Sequence, residues 1–253
     1  MRWQSRGQLT DSKRLMLKLA STNRTVLAAS IMLIAVSSVA LGQAPSTGPR
    51  IKCTPEVFDF GYVPQDATVS HTYWLKNTGT ETAVITQIKP NCGCTRVPPS
   101  DSTIAVGDSL AIELQFASRN MSGKVEKFTR ITSNAEGRVP ALTFRGRVFK
   151  ASEEHGPITA IPAIIEVTGS SAPKLSLRNT SKSTVTVQVV DLPPGLIQLD
   201  WNELTLGPDE TKEVSLVLLP QESQVEFTKS ITLESNNSER SRLTVPITNV
   251  RKE

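Results

Sequence analysis

The sequence VSHTYWLK, at residues 69–76, decides the fold class. Its side chains alternate along an extended chain, so Val69, Tyr73 and Leu75 lie on one face together with His71. The opposite face carries mostly polar side chains. This alternation predicts a β-strand with one face in a hydrophobic core.

A turn follows this strand, since Asn77 and Gly79 both tolerate the positive φ angles that tight turns need. Segments with the same alternation recur about every 12 residues, separated by turn-forming residues. No part of the chain after residue 42 shows a sustained period of 3.6 residues, which a helix requires. The spacing predicts an antiparallel β-sandwich. Its predicted strands are 57–60 (ended by Gly61), 69–76, 83–89, 110–116, 124–133 and 142–148.

A second copy of the pattern follows the first. Asn77 and Asn134 lie 57 positions apart, and Asn179 and Asn236 have the same separation in similar surroundings. Two related sandwiches explain this repetition. The predicted organisation is a linker at 43–50, a first domain at 51–150, a linker at 151–157 and a second domain at 158–253, with strands at 185–190, 213–219 and 227–234.

The N-terminal segment has the pattern of a secretory signal. Six basic residues and one acidic residue precede or flank the uncharged run VLAASIMLIAVSSVAL at residues 26–41. Small residues before Gln43 predict cleavage after residue 42. The alternative is an uncleaved inner-membrane anchor formed by residues 26–41, although this run is shorter than the ~20 residues of a usual span.

Charge argues against a nucleic-acid surface. The chain has 28 basic and 24 acidic residues. Residues 1–42 hold six of the basic residues and one of the acidic residues, which leaves 22 basic and 23 acidic residues after the predicted cleavage. The basic excess therefore belongs to the signal. We expect no nucleic-acid partner, and contact with a membrane only through the N-terminal segment if it stays uncleaved.

The chain has three cysteines, two of which flank Gly93 in the sequence Cys92-Gly93-Cys94. Export would place them in a compartment where a disulfide persists. The preferred interpretation is structural. Gly93 permits a sharp turn, and the two thiols, or a disulfide between them, hold that turn in place. Cys53 could also form a disulfide with one of the pair. A second interpretation is a redox-active pair. A third is a soft-metal site for copper(I), completed by Cys53 or His71.

Catalytic groups are scarce in this sequence. No phosphate loop, paired carboxylates or nucleophile motif occurs, so we expect no catalytic residues and no cofactor. His71 is expected to be a packed, hydrogen-bonded histidine, with a ligand or base beside a thiol as the alternative. Trp74 and Trp201 are both expected to be packed, with an interaction hot spot as the alternative for Trp74.

The motifs of the first repeat resemble those of the bacterial domain-of-unknown-function 1573 family. In chain order these are Phe58-Asp59-Phe60-Gly61, Leu75-Lys76-Asn77-Thr78-Gly79, Cys92-Gly93-Cys94-Thr95, Gly107-Asp108 and Ser133-Asn134. The resemblance covers about residues 56–148. It implies an immunoglobulin-like sandwich related to PapD-like and ASH domains in an exported protein, and it implies no activity.

The sequence therefore predicts an all-β protein with two tandem immunoglobulin-like domains after a signal or anchor segment. The expected function is non-catalytic binding to one or more envelope proteins in the periplasm. The alternative, from a different class, is thiol redox chemistry or copper handling through Cys92 and Cys94.

Overall fold

β-Strands are the regular secondary structure throughout the residues that the computed structural model describes, which are 47–97, 102–150, 156–167, 173–219, 226–237 and 241–249. The prediction of an all-β fold is confirmed. The predicted signal segment at 1–42 and most of the linker at 151–157 lie outside these residues.

The first repeat has nine strands, which are β1 (Ile51–Cys53), β2 (Val57–Pro64), β3 (Thr68–Asn77), β4 (Ala83–Pro90), β5 (Thr95–Arg96), β6 (Thr103–Ile104), β7 (Ser109–Ala117), β8 (Gly123–Ser133) and β9 (Leu142–Phe149). The six longer strands match the predicted segments, because alternating apolar side chains can be buried on one face of a sheet only in extended conformation. The three short strands β1, β5 and β6 were not predicted.

The second repeat follows the same order, but only its strands at Val185–Asp191, Thr211–Leu218 and Phe227–Ser235 were predicted, and six others, including the eight-residue strand Arg242–Asn249, were not. Its strands are β10 (Ile158–Ile161), β11 (Ile165–Val167), β12 (Lys174–Asn179), β13 (Val185–Asp191), β14 (Ile197–Leu199), β15 (Glu203–Leu206), β16 (Thr211–Leu218), β17 (Phe227–Ser235) and β18 (Arg242–Asn249).

Each repeat is a sandwich of two layers. One layer is a separate sheet, in the order β1-β3-β7-β5 in the first repeat and β10-β12-β16-β14 in the second. The other layers of the two repeats form one sheet, in the order β15-β13-β17-β18-β2-β9-β8-β4-β6, with β11 also paired to β18. The tandem sandwiches are therefore continuous through a shared sheet, which the sequence did not predict.

Two hydrophobic cores lie between these layers, one in each repeat. In the first core, Val69, Tyr73 and Leu75 of β3 are almost completely buried, as their alternation predicted. They face the rings of Phe60 and Phe144 from the shared sheet. Burial of each such side chain contributes about 1.5–3 kcal/mol, so this face of β3 holds the layers together.

The repetition seen in the sequence corresponds to repeated structural roles. Asn77 and Asn179 are both fully buried, and the amide group of each donates to backbone carbonyls on two different segments. The side-chain oxygens of Asn134 and Asn236 each accept a hydrogen bond from the backbone of a neighbouring strand. These amides replace missing backbone partners at the same corners of both sandwiches.

Two local expectations are wrong. Gly61 does not end β2, because the strand passes through a bulge between Asp59 and Gly61 and continues to Pro64. Trp74 is not packed: 55% of its surface is exposed, since it points away from the core on the outer face of β3. Trp201, in contrast, packs against the second core as expected.

Candidate functional site

The Cys92–Cys94 turn connects the two layers of the first sandwich. Asn91 exchanges hydrogen bonds with the backbone of Phe128 on β8, and the carbonyl of Cys94 accepts one from Ala117 N at the end of β7, at 2.8 Å. Cys92 and Cys94 are joined by a disulfide, with their Cα atoms 5.3 Å apart. The disulfide therefore closes a turn that backbone hydrogen bonds already hold at both ends.

Solvent reaches this disulfide. Both cysteines are half-buried, whereas Gly93 between them is exposed. The backbone of Gly93 has no positive φ, and the space where a Cβ would stand is open. The geometry thus gives no steric or conformational reason for glycine at the tip of this turn.

The second repeat forms the corresponding turn without cysteine. Leu196 takes the position of Cys94, because its carbonyl accepts a hydrogen bond from Leu219 N at 3.0 Å, at the end of β16. The side chain of Leu196 is buried in the second core. The fold can therefore build this corner with an apolar anchor alone, and the cysteine pair is an addition specific to the first repeat.

The structure does not bring Cys53 to this turn. Cys53 pairs with Leu75, near the C-terminal end of β3. Thr95, the residue after the disulfide, pairs with the same residue of β7 as Val69, which lies near the N-terminal end of β3. Six residues of strand separate these levels, or about 20 Å. Cys53 is a buried free thiol that donates a hydrogen bond to Pro55 O, and burial raises its pKa to about 11.

His71 is packed and hydrogen-bonded, as predicted, but its partner comes from the other repeat. Its ring stacks on Phe58 with the centroids 3.8 Å apart, and its edge contacts Tyr73. The Nδ1 atom lies 3.0 Å from a carboxylate oxygen of Asp191, at the end of β13. In the described part of the chain, no group of three or more potential ligands is arranged to hold a metal ion.

The contact between His71 and Asp191 belongs to a polar junction that joins the two repeats. Ser230 Oγ accepts a hydrogen bond from Ser70 N at 3.0 Å and donates one to Ser70 O at 2.9 Å. Beside it, Lys229 forms an ion pair with Glu113. We call this set, with His71 and Asp191, the β3–β17 junction. Ser70 and Ser230 are buried, so their backbone and hydroxyl groups satisfy one another there.

The shared sheet forms a second contact between the repeats. Strand β18 pairs in parallel with β2 at Leu243 and Tyr62, and Thr244 Oγ1 donates to Phe60 O at 2.8 Å. Gly61 permits this approach, because a Cβ on it would stand 2.1 Å from the carbonyl oxygen of Arg242. Sequence reasoning missed both contacts, since each depends on small or hydroxyl side chains that resemble ordinary strand residues.

The fold defines a tandem immunoglobulin-like β-sandwich protein. Residues 51–148 match the family model described as Protein of unknown function (DUF1573), so the resemblance found in the motifs of the first repeat is confirmed. A search of curated protein sequences gives no significant match to this chain.

Solved structures with a similar fold are distant in sequence. A protein of unknown function from Porphyromonas gingivalis W83 is 13% identical, with 79% of this chain and 99% of that chain covered and a TM-score of 0.33. The ASH / PapD-like domain 7 of human CEP192 is 12% identical, with 46% and 97% covered and a TM-score of 0.37. The Pseudomonas aeruginosa CupB2 chaperone is 12% identical, with 77% and 98% covered and a TM-score of 0.30.

Among the described residues, the structure has no helix with the length and apolarity needed to span a bilayer.

Proposed function

We propose that this protein is an exported, non-catalytic binding protein that holds one or more partner proteins of the bacterial envelope on the surfaces of its two sandwiches. The observation that carries the proposal is the pair of contacts between the repeats, the β3–β17 junction and the β18–β2 pairing. Together they fix the faces of two sandwiches in one orientation.

A fixed orientation favours binding because a preorganised surface loses little conformational entropy when a partner docks. Flexibly linked sandwiches would have to be ordered at each binding event. Here the hydroxyl groups of Ser230 and Thr244 lie in buried positions, where they bond directly to the backbone of the first repeat. Breaking these bonds would leave buried polar groups without partners, so the arrangement resists bending.

The exposed indole of Trp74 supports a docking role for the outer face of β3. It stands opposite Ala111 in the β3–β7 ladder, and this small neighbour leaves the ring uncovered. Tryptophan is enriched among the side chains that dominate protein–protein binding energy. Trp74 is therefore the exposed side chain of the first sandwich that we expect to contact a partner.

Export is part of the proposal and rests on the N-terminal sequence. A basic segment followed by the uncharged run at 26–41 is typical of a secretory signal. We place the protein in the periplasm or cell envelope. A disulfide between Cys92 and Cys94 is consistent with that oxidising location.

The test is co-purification of the full-length chain from cross-linked intact envelopes. We expect a partner with the wild-type protein and about tenfold less of it with Trp74→Ala. Val217→Ala is the matched control, because Val217 is also an exposed apolar side chain, on β16 of the second repeat. Recovery of no partner above an untagged control would refute the binding function.

The half-exposed disulfide supports a second candidate function, thiol–disulfide exchange. In that reaction a thiolate of a partner protein attacks one sulfur, forms a mixed disulfide and releases the other cysteine as a thiolate. A second thiolate of the partner then attacks the mixed disulfide, so that the partner leaves with a new disulfide and this protein is left with two reduced cysteines. The observation in its favour is that the second repeat builds the same corner without cysteine.

Thiol trapping of protein isolated directly from its compartment tests this candidate. A redox pair would be recovered as a mixture of dithiol and disulfide, and a copper site would retain copper(I) after reduction. Recovery of the cysteine pair entirely as a disulfide that glutathione does not reduce, with no copper bound, would refute both the redox function and the copper site. Cys92→Ser with Cys94→Ser would then lower stability without loss of partner binding.

A further inference from the structure

We propose that a recess at the junction of the two repeats binds an acidic side chain of the partner protein, through Lys124 and Arg147. This inference rests on the proposed binding function and names the chemistry of one contact. The recess has a volume of about 690 Å³ and lies on the outer face of the shared sheet.

Both repeats contribute to this recess, so its shape depends on the tandem arrangement. Strands β2, β8 and β9 form the part that belongs to the first repeat, and the Glu234–Arg242 pair of β17 and β18 borders it from the second. Arg242 also donates to Asp59 O at 3.2 Å, which closes one side. A partner that uses this recess therefore recognises the two repeats together.

Lys124 and Arg147 face each other directly across the β8–β9 ladder. Both side chains are exposed, line the recess and have no acidic partner within the residues that the structure describes. Two like charges opposite one another in a sheet destabilise it. A carboxylate bound between them would replace this repulsion with two charge-assisted hydrogen bonds.

The neighbouring cations are already neutralised. Arg145 bonds to the carboxylate of Asp59 at 3.0 Å and lies across from Glu126, and Arg242 bonds to Glu234 at 2.9 Å. Lys124 and Arg147 are the two of the four cations lining the recess for which the described residues supply no ion-pair partner, and the three carboxylates there leave the recess with a net charge of +1. A single anionic group satisfies it.

The three carboxylates around the recess select the kind of ligand. Asp59, Glu126 and Glu234 would repel a polyanion such as a nucleic acid or a phosphate-rich lipid surface. A protein surface can present one acidic side chain to the two cations and place basic or polar groups over the carboxylates. Charge complementarity therefore favours a protein partner over a polyanion.

Titration of the full-length chain with two synthetic peptides provides the test. One peptide contains a single glutamate flanked by lysine and glycine, and the other has glutamine in its place. We expect the glutamate peptide to bind and the glutamine peptide to bind about tenfold more weakly. Lys124→Gln with Arg147→Gln should abolish the difference between the peptides.

Lys89→Gln with Arg130→Gln is the matched control. These two basic residues are also exposed and face each other across a ladder, β4–β8, but they do not line the recess. The control should keep the preference for glutamate. Equal loss in both double variants would show a general charge effect and overturn the proposal, as would tighter binding of inorganic tripolyphosphate than of the glutamate peptide.

Co-purification with the same variants separates this inference from the proposed function. Recovery of a partner with the wild-type chain and with the control, but not with the Lys124/Arg147 variant, supports both. Equal recovery with the Lys124/Arg147 variant keeps the binding function and overturns the role of the recess. Recovery of a partner with none of the three proteins overturns the binding function itself.

Discussion

Replacement of Ser230 by alanine tests whether the two repeats behave as one unit. Ser230 is 1% exposed, and its hydroxyl bonds to both the N–H and the C=O of Ser70. The substitution leaves two buried backbone groups without these partners, at a cost of about 1–3 kcal/mol for each. Because the change removes only one oxygen, it opens little space. We expect a loss of about 2–4 kcal/mol of unfolding free energy.

Ser118→Ala is the matched control. Ser118 is also fully buried, and its hydroxyl also accepts from a backbone N–H, that of Ala67, and donates to a carbonyl, that of Pro64. All of these groups belong to the first repeat. We expect a similar loss of stability, but without any change in the contact between the repeats.

Urea denaturation followed by circular dichroism gives the total loss, and pulsed hydrogen exchange with mass spectrometry resolves the two repeats. In the wild type and in Ser118→Ala, peptides from β3 and β17 should lose protection at the same urea concentration. In Ser230→Ala, we expect them to separate, since the variant removes the two buried hydrogen bonds between β3 and β17 and so weakens the coupling of the repeats. Separate transitions in the wild type, or a loss below about 0.5 kcal/mol in Ser230→Ala, would refute the reasoning.

Three further outcomes follow from the structure. Asn77→Ala and Asn179→Ala should each cost about 2–4 kcal/mol in urea denaturation, because each removes several buried hydrogen bonds; a large effect at only one site would contradict their equivalence. Native Cys53 should resist alkylation at pH 8, where its raised pKa keeps the thiol protonated. The difference in unfolding free energy between the wild type and Cys53→Ala should shrink as the pH rises from about 9 to about 11, because the unfolded chain loses the thiol proton before the folded protein does. Gly61→Ala should lower the melting temperature more than Gly93→Ala, because only Gly61 lies against the Arg242 carbonyl and has a positive φ, of 63°.

The local pattern of the sequence was sufficient for most strands of the first repeat. Val69, Tyr73 and Leu75 are buried because a strand presents alternate side chains to the core, and this depends on neighbouring residues only. The same holds for Asn77 and Asn179, whose common position before a turn revealed the repetition. Short strands such as β14 and β15 carry too few alternations to be read in this way.

Trp74 shows where local reasoning fails. Its face of β3 was identified correctly, but whether that face was covered depended on a neighbour across the ladder, Ala111. The exposure of the indole is thus a property of the sheet. The recess at Lys124 and Arg147 is similar, because only the β8–β9 register places these two charges opposite one another.

The sequence by itself determined the all-β class, the two repeats and the position of the Cys92–Cys94 turn, since each depends on alternation or spacing within a short segment. The tertiary structure alone decided that the repeats share a sheet, that Ser230 bonds to Ser70, and that Cys53 lies far from the disulfide. The physical reason is that strand pairing joins residues far apart in the chain. The strand with which a given strand pairs is selected by hydrogen bonding and packing over the whole molecule, so it cannot be predicted from the residues of one segment.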